Sequence, residues 1–263
     1  MTRAPVAGPR ETTVANPLFE FLLRLADDRL VLGHRLSEWC GHGPILEEDI
    51  AMANIALDLV GQANAVLRLA GETEGAGRDE DALAYLRDET GFRNAQLVEL
   101  PKGDFAFTMV RQFLFDAFSV LQWEALKQWK LPTLAGIAAK ALKEDTYHLR
   151  HTSDWLLKLG DGTGESHARA QRALDDSWRF TGELFECDAV DGAVAEHGIV
   201  LNSATAHSRW HSMVSDVVAR ATLDLPKDTP MATGGRRGRH TEFLGHLLSE
   251  MQIVVRSHPG AKW

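Results

Sequence analysis

Four polar side chains interrupt otherwise apolar helical stripes in this chain: Asp28, Asp116, Asp145 and His148. A carboxylate or imidazole among aliphatic groups costs free energy unless it is paired or ligated. Asp145 and His148 are three positions apart, which on a helix sets both on one face. That spacing is close to the Glu-x-x-His of carboxylate-bridged di-iron bundles, where two helices give one Glu each and two others give a Glu-x-x-His each. Asp28 leads to Leu59 and Gln62 at nearly the interval by which Asp116 leads to Asp145 and His148, so the chain reads as two related hairpins. In the first hairpin Leu59 stands where a bridging carboxylate belongs and Gln62 where the imidazole belongs, and Leu has no donor. In the second, Asp replaces Glu and shortens the reach by a methylene.

Three readings of these positions stand side by side. In one, Asp28, Asp116 and His148 make buried polar contacts with each other, with Arg35 or with Tyr147, as the cost of a lone buried charge demands. In another, Asp116, Asp145 and His148 hold a single metal, since one imidazole and two carboxylates form a reasonable donor set. The third is a working di-iron centre, for which the first hairpin lacks the donors.

Any of these needs long helices to present the side chains. Apolar residues at helical spacing predict helices over 17–39, 44–70, 105–130 and from 133 to 160. Asn16 caps the first and Pro17 suits its first position. Gly41 and Gly43 let the chain turn back, Pro44 opens the second helix, and Thr133 is placed to cap the fourth. A solvated loop is expected over 71–80, a short helix over 81–87, and further helices over about 167–187, 203–223 and 240–257, with a short helical turn within 188–201. Almost nothing alternates with period two, so the expectation is an all-α fold: a central four-helix bundle with flanking helices. Residues 17–263 read as one helical domain and residues 1–16 as a disordered arm.

The 263 residues, 44% of them hydrophobic, suit a soluble protein with a sizeable core, and the net charge of −9 argues against nonspecific nucleic-acid binding. Cys40 and Cys187 have no pairing pattern, which implies free thiols in a reducing compartment. No run of 18 apolar residues exists, so a cytoplasmic protein without a membrane partner is expected. Gly234 to His240 (GGRRGRH) precedes a helix. It offers Arg236, Arg237 and Arg239 to an anion such as a CoA phosphate, or is a tight turn whose arginines meet an acidic partner. His207 and His211, four apart, read as an exposed face with room for an adventitious metal. Ser37 and Cys40 lie near histidines, but no nucleophile, base and acid can be ordered from them.

Several long runs point further: 32–42 (LGHRLSEWCGH), 46–63 (LEEDIAMANIALDLVGQA), 143–150 (KEDTYHLR), 178–185 (WRFTGELF), 233–245 (TGGRRGRHTEFLG), 250–252 (EMQ) and 259–263 (PGAKW). Over about residues 18 to 263 the chain resembles the C subunits of bacterial phenylacetyl-CoA epoxidases, the multicomponent oxygenases of aerobic phenylacetate degradation. The resemblance implies a ferritin-like fold and a non-catalytic, structural role. It implies pairing with a homologous A subunit that holds the di-iron centre and epoxidises the ring with molecular oxygen, and a reductase that feeds it electrons from NADPH. On this basis no cofactor resides in the present chain. The alternative is a subunit with its own metal at Asp116, Asp145 and His148.

Overall fold

The computed structural model describes residues 16–196, 203–227 and 229–261, and the segment expected as a disordered arm lies outside them except for Asn16. In chain order the helices are α1 (Pro17–Ser37), α2 (Leu46–Glu74), α3 (Glu80–Tyr85), α4 (Gln96–Glu99), α5 (Phe105–Leu126), α6 (Pro132–Gly160), α7 (Gly164–Trp178), α8 (Ala189–Ala195), α9 (Ser203–Arg220) and α10 (Glu242–Ser257). No strand occurs among the described residues. α1 packs along α2 and α5 along α6, and α2 also meets α6, giving a four-helix bundle. α7 and α9 lie on the second hairpin, α4 and α8 on α1, and α10 near α3 and α4. The all-α bundle with flanking helices is therefore the fold.

The ends of the helices follow local chemistry. Asn16 Oδ1 accepts from the Phe19 amide at 3.1 Å, and Pro17 occupies the first turn. α1 stops at Ser37, short of the expected residue 39, and Trp39 turns inward to donate from Nε1 to Thr108 Oγ1 at 3.0 Å. The turn that follows is held by Asp49, whose carboxylate accepts from the Gly41 and Gly43 amides at 3.1 and 2.9 Å. Those bonds keep the Asp49 carboxyl below its ordinary range. α2 accordingly begins at Leu46, not at Pro44, and runs past the expected end to Glu74, where Gly75 in the left-handed region (φ 70°) stops it. α6 begins at Pro132, so Thr133 lies inside its first turn and does not cap it. α5 ends at Leu126, four residues short of the expectation, and α7 at Trp178, with a single turn at Gly182–Phe185 where helix was expected to continue.

The core is built from Leu22, Leu25, Leu32, Leu59, Val66, Phe113, Phe115, Trp123 and Leu134, all fully or almost fully buried. Each such side chain contributes about 1.5–3 kcal/mol on leaving water. α5 is buried on nearly every face because α4, α6, α7 and α9 all contact it. α2 has the length and apolar composition to cross a membrane, yet its Met52, Ile55, Leu59, Gln62 and Val66 face the bundle interior, as in a core helix. Cys40 and Cys187 are free and exposed.

Candidate functional site

The centre of the bundle is held by a side chain whose role the sequence did not disclose, Arg29 on α1. It is completely buried. Its guanidinium donates from Nε to Gln62 Oε1 at 3.2 Å, from Nη1 to the Leu25 carbonyl at 2.8 Å, and from Nη2 to Ser119 Oγ at 2.7 Å and Gln122 Oε1 at 3.0 Å. The same group stacks on Trp123, 4.0 Å from the ring centroid. All four bundle helices are tied through this one cation, because Gln62 passes the contact on: its Nε2 donates to Asp145 Oδ1 at 2.8 Å and Glu144 Oε2 at 3.0 Å. The Ser119 hydroxyl donates to the other Asp145 oxygen. Burial lowers the Arg29 pKa to about 10, with Asp145 and Asp28 opposing, so the group is charged at neutral pH.

Three of the expected residues lie beyond this point. His148 is buried, with Nε2 3.1 Å from Asp58 Oδ2 and Nδ1 3.4 Å from Asp145 Oδ1, an ion-pair distance rather than a well-formed hydrogen bond. Burial works against its charge, but Asp145, Asp116 and Asp58 together hold the imidazole up at about 9. Burial raises Asp145 as well, and His148, Arg29 and Ser119 overcome it to leave the carboxyl below its usual range. Asp116 accepts from Gln112 Nε2 at 2.6 Å and from Thr152 Oγ1 at 3.0 Å. It lacks a cationic partner in hydrogen-bonding contact, and burial pushes it up to about 7.

Asp28 is elsewhere. Its carboxylate faces away from this network and accepts from Arg236 Nη1 and Nη2 at 2.9 and 2.8 Å and from the Ala95 amide at 2.8 Å. It meets neither Arg35 nor Tyr147: Arg35 binds Glu38 and the Glu99 and Phe243 carbonyls, while Tyr147 is exposed and stacks on His151. Leu59 also lies off the network, packed where α2 meets α1 at Gly33. A Cβ at Gly33 would come within 2.9 Å of Val60 Cγ2 and 3.4 Å of Leu59 Cβ.

The Gly234–His240 loop is a structural bolt. Arg236 is buried, and Glu183 accepts from the Gly234 and Arg236 amides at 2.8 and 3.3 Å. Gly235 is required because a Cβ there would sit 2.3 Å from the Asn94 carbonyl oxygen. Arg236 is thus committed to Asp28 rather than to an external anion. Arg237 reaches Glu186 at 3.3 Å and is exposed, as is Arg239. His240 binds Glu99 at 2.9 Å. His207 and His211 are both exposed, with rings 6.2 Å apart.

The donor set does not fit a metal pair. Leu59 offers nothing, and Gln62 is spent between a guanidinium and a carboxylate. Both oxygens of Asp116 and of Asp145 already accept hydrogen bonds from neutral donors, and a fixed guanidinium stands at the centre. Among the described residues no three His, Cys, Asp or Glu side chains are grouped to hold a metal ion. Arg29, Ser119 and Asp58 went unread in the sequence. Arg29 interrupts the α1 stripe beside Asp28, and Ser119 follows Asp116 at the i+3 position, so both had a positional signal.

The fold and this interior define a helical bundle of ferritin-like plan whose centre is closed by a cation and amides in place of metal ligands. The chain belongs to the family described as phenylacetic acid catabolic protein, which it matches over residues 4–263. It is 48% identical over 248 residues to the C subunit of 1,2-phenylacetyl-CoA epoxidase from Escherichia coli (strain K12), an alignment covering 94% of this chain and 100% of that protein.

Proposed function

We propose that the chain is a non-catalytic structural subunit of a phenylacetyl-CoA epoxidase complex in phenylacetate catabolism. It scaffolds a homologous A subunit that carries the di-iron centre, with a reductase as a further member. The observation that carries this reading is the Arg29 network: a buried guanidinium satisfied by Gln62, Ser119 and Gln122 takes the room and the hydrogen bonds a metal pair would need. The similarity to the C subunit of an epoxidase supports the choice of complex. A partner surface is available as well. Leu46, Ile50 and Leu57 on α2 expose 72%, 52% and 69% of their area, and Tyr147 on the adjoining α6 exposes 56%.

The test is epoxidation by the A subunit, reconstituted with its reductase and with this chain. Wild-type chain is expected to support turnover while containing no stoichiometric iron, and His148→Ala is expected to leave the rate per A subunit unchanged. Loss of turnover in His148→Ala, with the complex still assembled, would move the chemistry into this chain and favour a site at Asp116, Asp145 and His148.

A further inference from the structure

Outside the bundle centre, the described residues form an open cleft of about 390 Å³ between the end of α7, the Gly182–Phe185 turn, α9 and the segment that carries Met231. Its walls are the rings of Trp178, Phe185 and Trp210 with Leu225 and Pro226. Among the described residues no aspartate, glutamate, lysine or arginine lines it. The side chains able to ligate a metal there are His207 and His211 on α9 and the thioether of Met231, since the Thr181 hydroxyl is committed to the Trp178 carbonyl at 2.8 Å.

His207 and His211 are one helical turn apart and both exposed, with ring centroids 6.2 Å from each other. A ring nitrogen about 2 Å from a metal puts the centroid of its ring roughly 3 Å from the ion, so two rings facing one ion from either side stand roughly 6 Å apart. The pair is therefore spaced for a near-linear nitrogen–metal–nitrogen arrangement without movement of α9. Ser215 Oγ lies 3.3 Å from His211 Nδ1, which leaves Nε2 as the ligating nitrogen of that ring. His207 meets Phe185 and Trp210 through ring contacts, with centroids at 5.0 and 6.1 Å.

Met231 brings a sulfur to the same cleft. It is 38% exposed and lies against Gly182, where a Cβ would come 2.6 Å from its Cγ and 3.2 Å from its Sδ. The glycine leaves the seat that the thioether occupies. The adjoining Ala232 amide donates to the Arg179 carbonyl at 2.8 Å and fixes the backbone beside Met231 to the end of α7. Two imidazoles and a thioether, without carboxylate or thiolate, form a soft and uncharged donor set. Thioethers select copper(I), whereas carboxylates and carbonyls suit magnesium, calcium and manganese. A structural zinc site takes four ligands, and this cleft supplies neither a thiolate nor a carboxylate to complete one.

We propose that the cleft is a copper(I) site, in which the His207 and His211 imidazoles bind the ion between them and the Met231 thioether closes on it as the third ligand. The sulfur reaches the ion by rotation of an unbranched side chain with three rotatable bonds. The site stands apart from the bundle centre and is compatible with a scaffold or with a metal-bearing subunit, so its test is independent of the preceding one.

The experiment is anaerobic titration of the full chain with copper(I) in competition with bicinchoninate, in a Cys40→Ser/Cys187→Ser background that removes the two exposed thiols. Saturable binding at one ion per chain is expected. His207→Ala and His211→Ala are each expected to weaken it at least about a hundredfold, beyond the loss typical of an outer-shell partner. Met231→Leu keeps an apolar side chain on Gly182 and is expected to weaken copper(I) about tenfold while leaving zinc(II) unchanged, with zinc(II) the weaker ligand throughout. X-ray absorption of the copper-loaded chain is expected to show sulfur beside nitrogen in the coordination shell. Thermal melts verify that each variant is folded, and should one alanine variant misfold, the other and Met231→Leu still decide. Absence of saturable binding, full affinity in a folded alanine variant, or zinc(II) binding as tight as copper(I) would each overturn the proposal. Copper(I) affinity unchanged in Met231→Leu, with no sulfur in the coordination shell, would mean an adventitious ion only and overturn it as well.

Discussion

Asp28 and Arg236 lie 208 positions apart in sequence and form a two-point ion pair at 2.8 and 2.9 Å, with Asp28 completely buried. This contact joins the last loop before α10 to the middle of α1. A buried pair is sensitive to losing one member, because the survivor is left charged and unpaired; the cost is about 3–5 kcal/mol. Arg236→Met is therefore expected to lower stability by that amount in urea denaturation, while the double variant Asp28→Leu/Arg236→Met regains most of it. Arg236→Lys should fall between, since an ammonium lacks the planar fork that meets both carboxylate oxygens. Arg237→Ala, at an exposed position, should stay within about 0.5 kcal/mol of wild type.

A second prediction concerns metal uptake. Restoring donors at the two degenerate positions of α2, by Leu59→Glu with Gln62→His, is the change that the hairpin alignment suggests. The structure argues that it fails. Leu59 packs toward Gly33 on α1, so a carboxylate there is buried without a partner, and the new imidazole faces the Arg29 guanidinium. Elemental analysis of the purified double variant is expected to find no stoichiometric iron, together with a loss of several kcal/mol in stability. Iron at about two per chain would show that Arg29 can be displaced and that the centre is latent rather than closed.

Helical periodicity made much of this interior readable. Gln62, Asp145 and His148 do converge, because a three-residue step and a long unbroken α6 leave few alternatives. The choice between Asp28 and Arg29 was not readable in the same way. Adjacent helical residues point about 100° apart, and which one faces the centre depends on how α1 is rotated against its neighbours. The role of Arg236 was hidden for another reason. A basic, glycine-rich loop has the composition of an anion site, and the acid that claims Arg236 is over two hundred positions upstream. The extension of α2 to Glu74 escaped because the polar sequence after Ala70 resembles loop; there Thr73 bonds back to the Leu69 carbonyl at 2.7 Å, within the helix.

The interior carries its own pH dependence. His148 titrates at about 9 in the fold against about 6.5 unfolded, so the stability it contributes is fully present below pH 6.5 and is lost as pH rises through 9. Asp116 titrates at about 7 in the fold against about 3.8 unfolded, so the folded state holds the extra proton between these values and stability falls as pH rises from about 4 to 7. Both trends run the same way above pH 4. Asp145, held low, opposes them only in acid, where its protonation costs stability as pH falls below its ordinary range. Together these two groups should make the midpoint of thermal unfolding decline from about pH 4 to 9. His148→Gln should flatten the part above about pH 6.5, and Asp116→Asn the part below about pH 7.

The exposed face of α2 yields a prediction in which stability and assembly part company. Leu46, Ile50 and Leu57 follow helical spacing on one side of the helix, opposite Leu59 and Val66, and none is needed to complete the bundle. Ile50→Glu and Leu57→Glu should each leave the unfolding free energy of the isolated chain within about 0.5 kcal/mol. If this face meets the A subunit, each loses a buried aliphatic contact and places a carboxylate in an apolar interface, so the Kd should rise at least tenfold, about 1.4 kcal/mol or more. Sedimentation velocity of the mixed subunits measures the change. The bundle centre lies on the other side of α2, so turnover at saturating concentrations of the variant should return to the wild-type value. A variant that assembles normally would assign the partner surface to another face of the bundle, with the exposed Ile253 and Val254 of α10 the next to substitute.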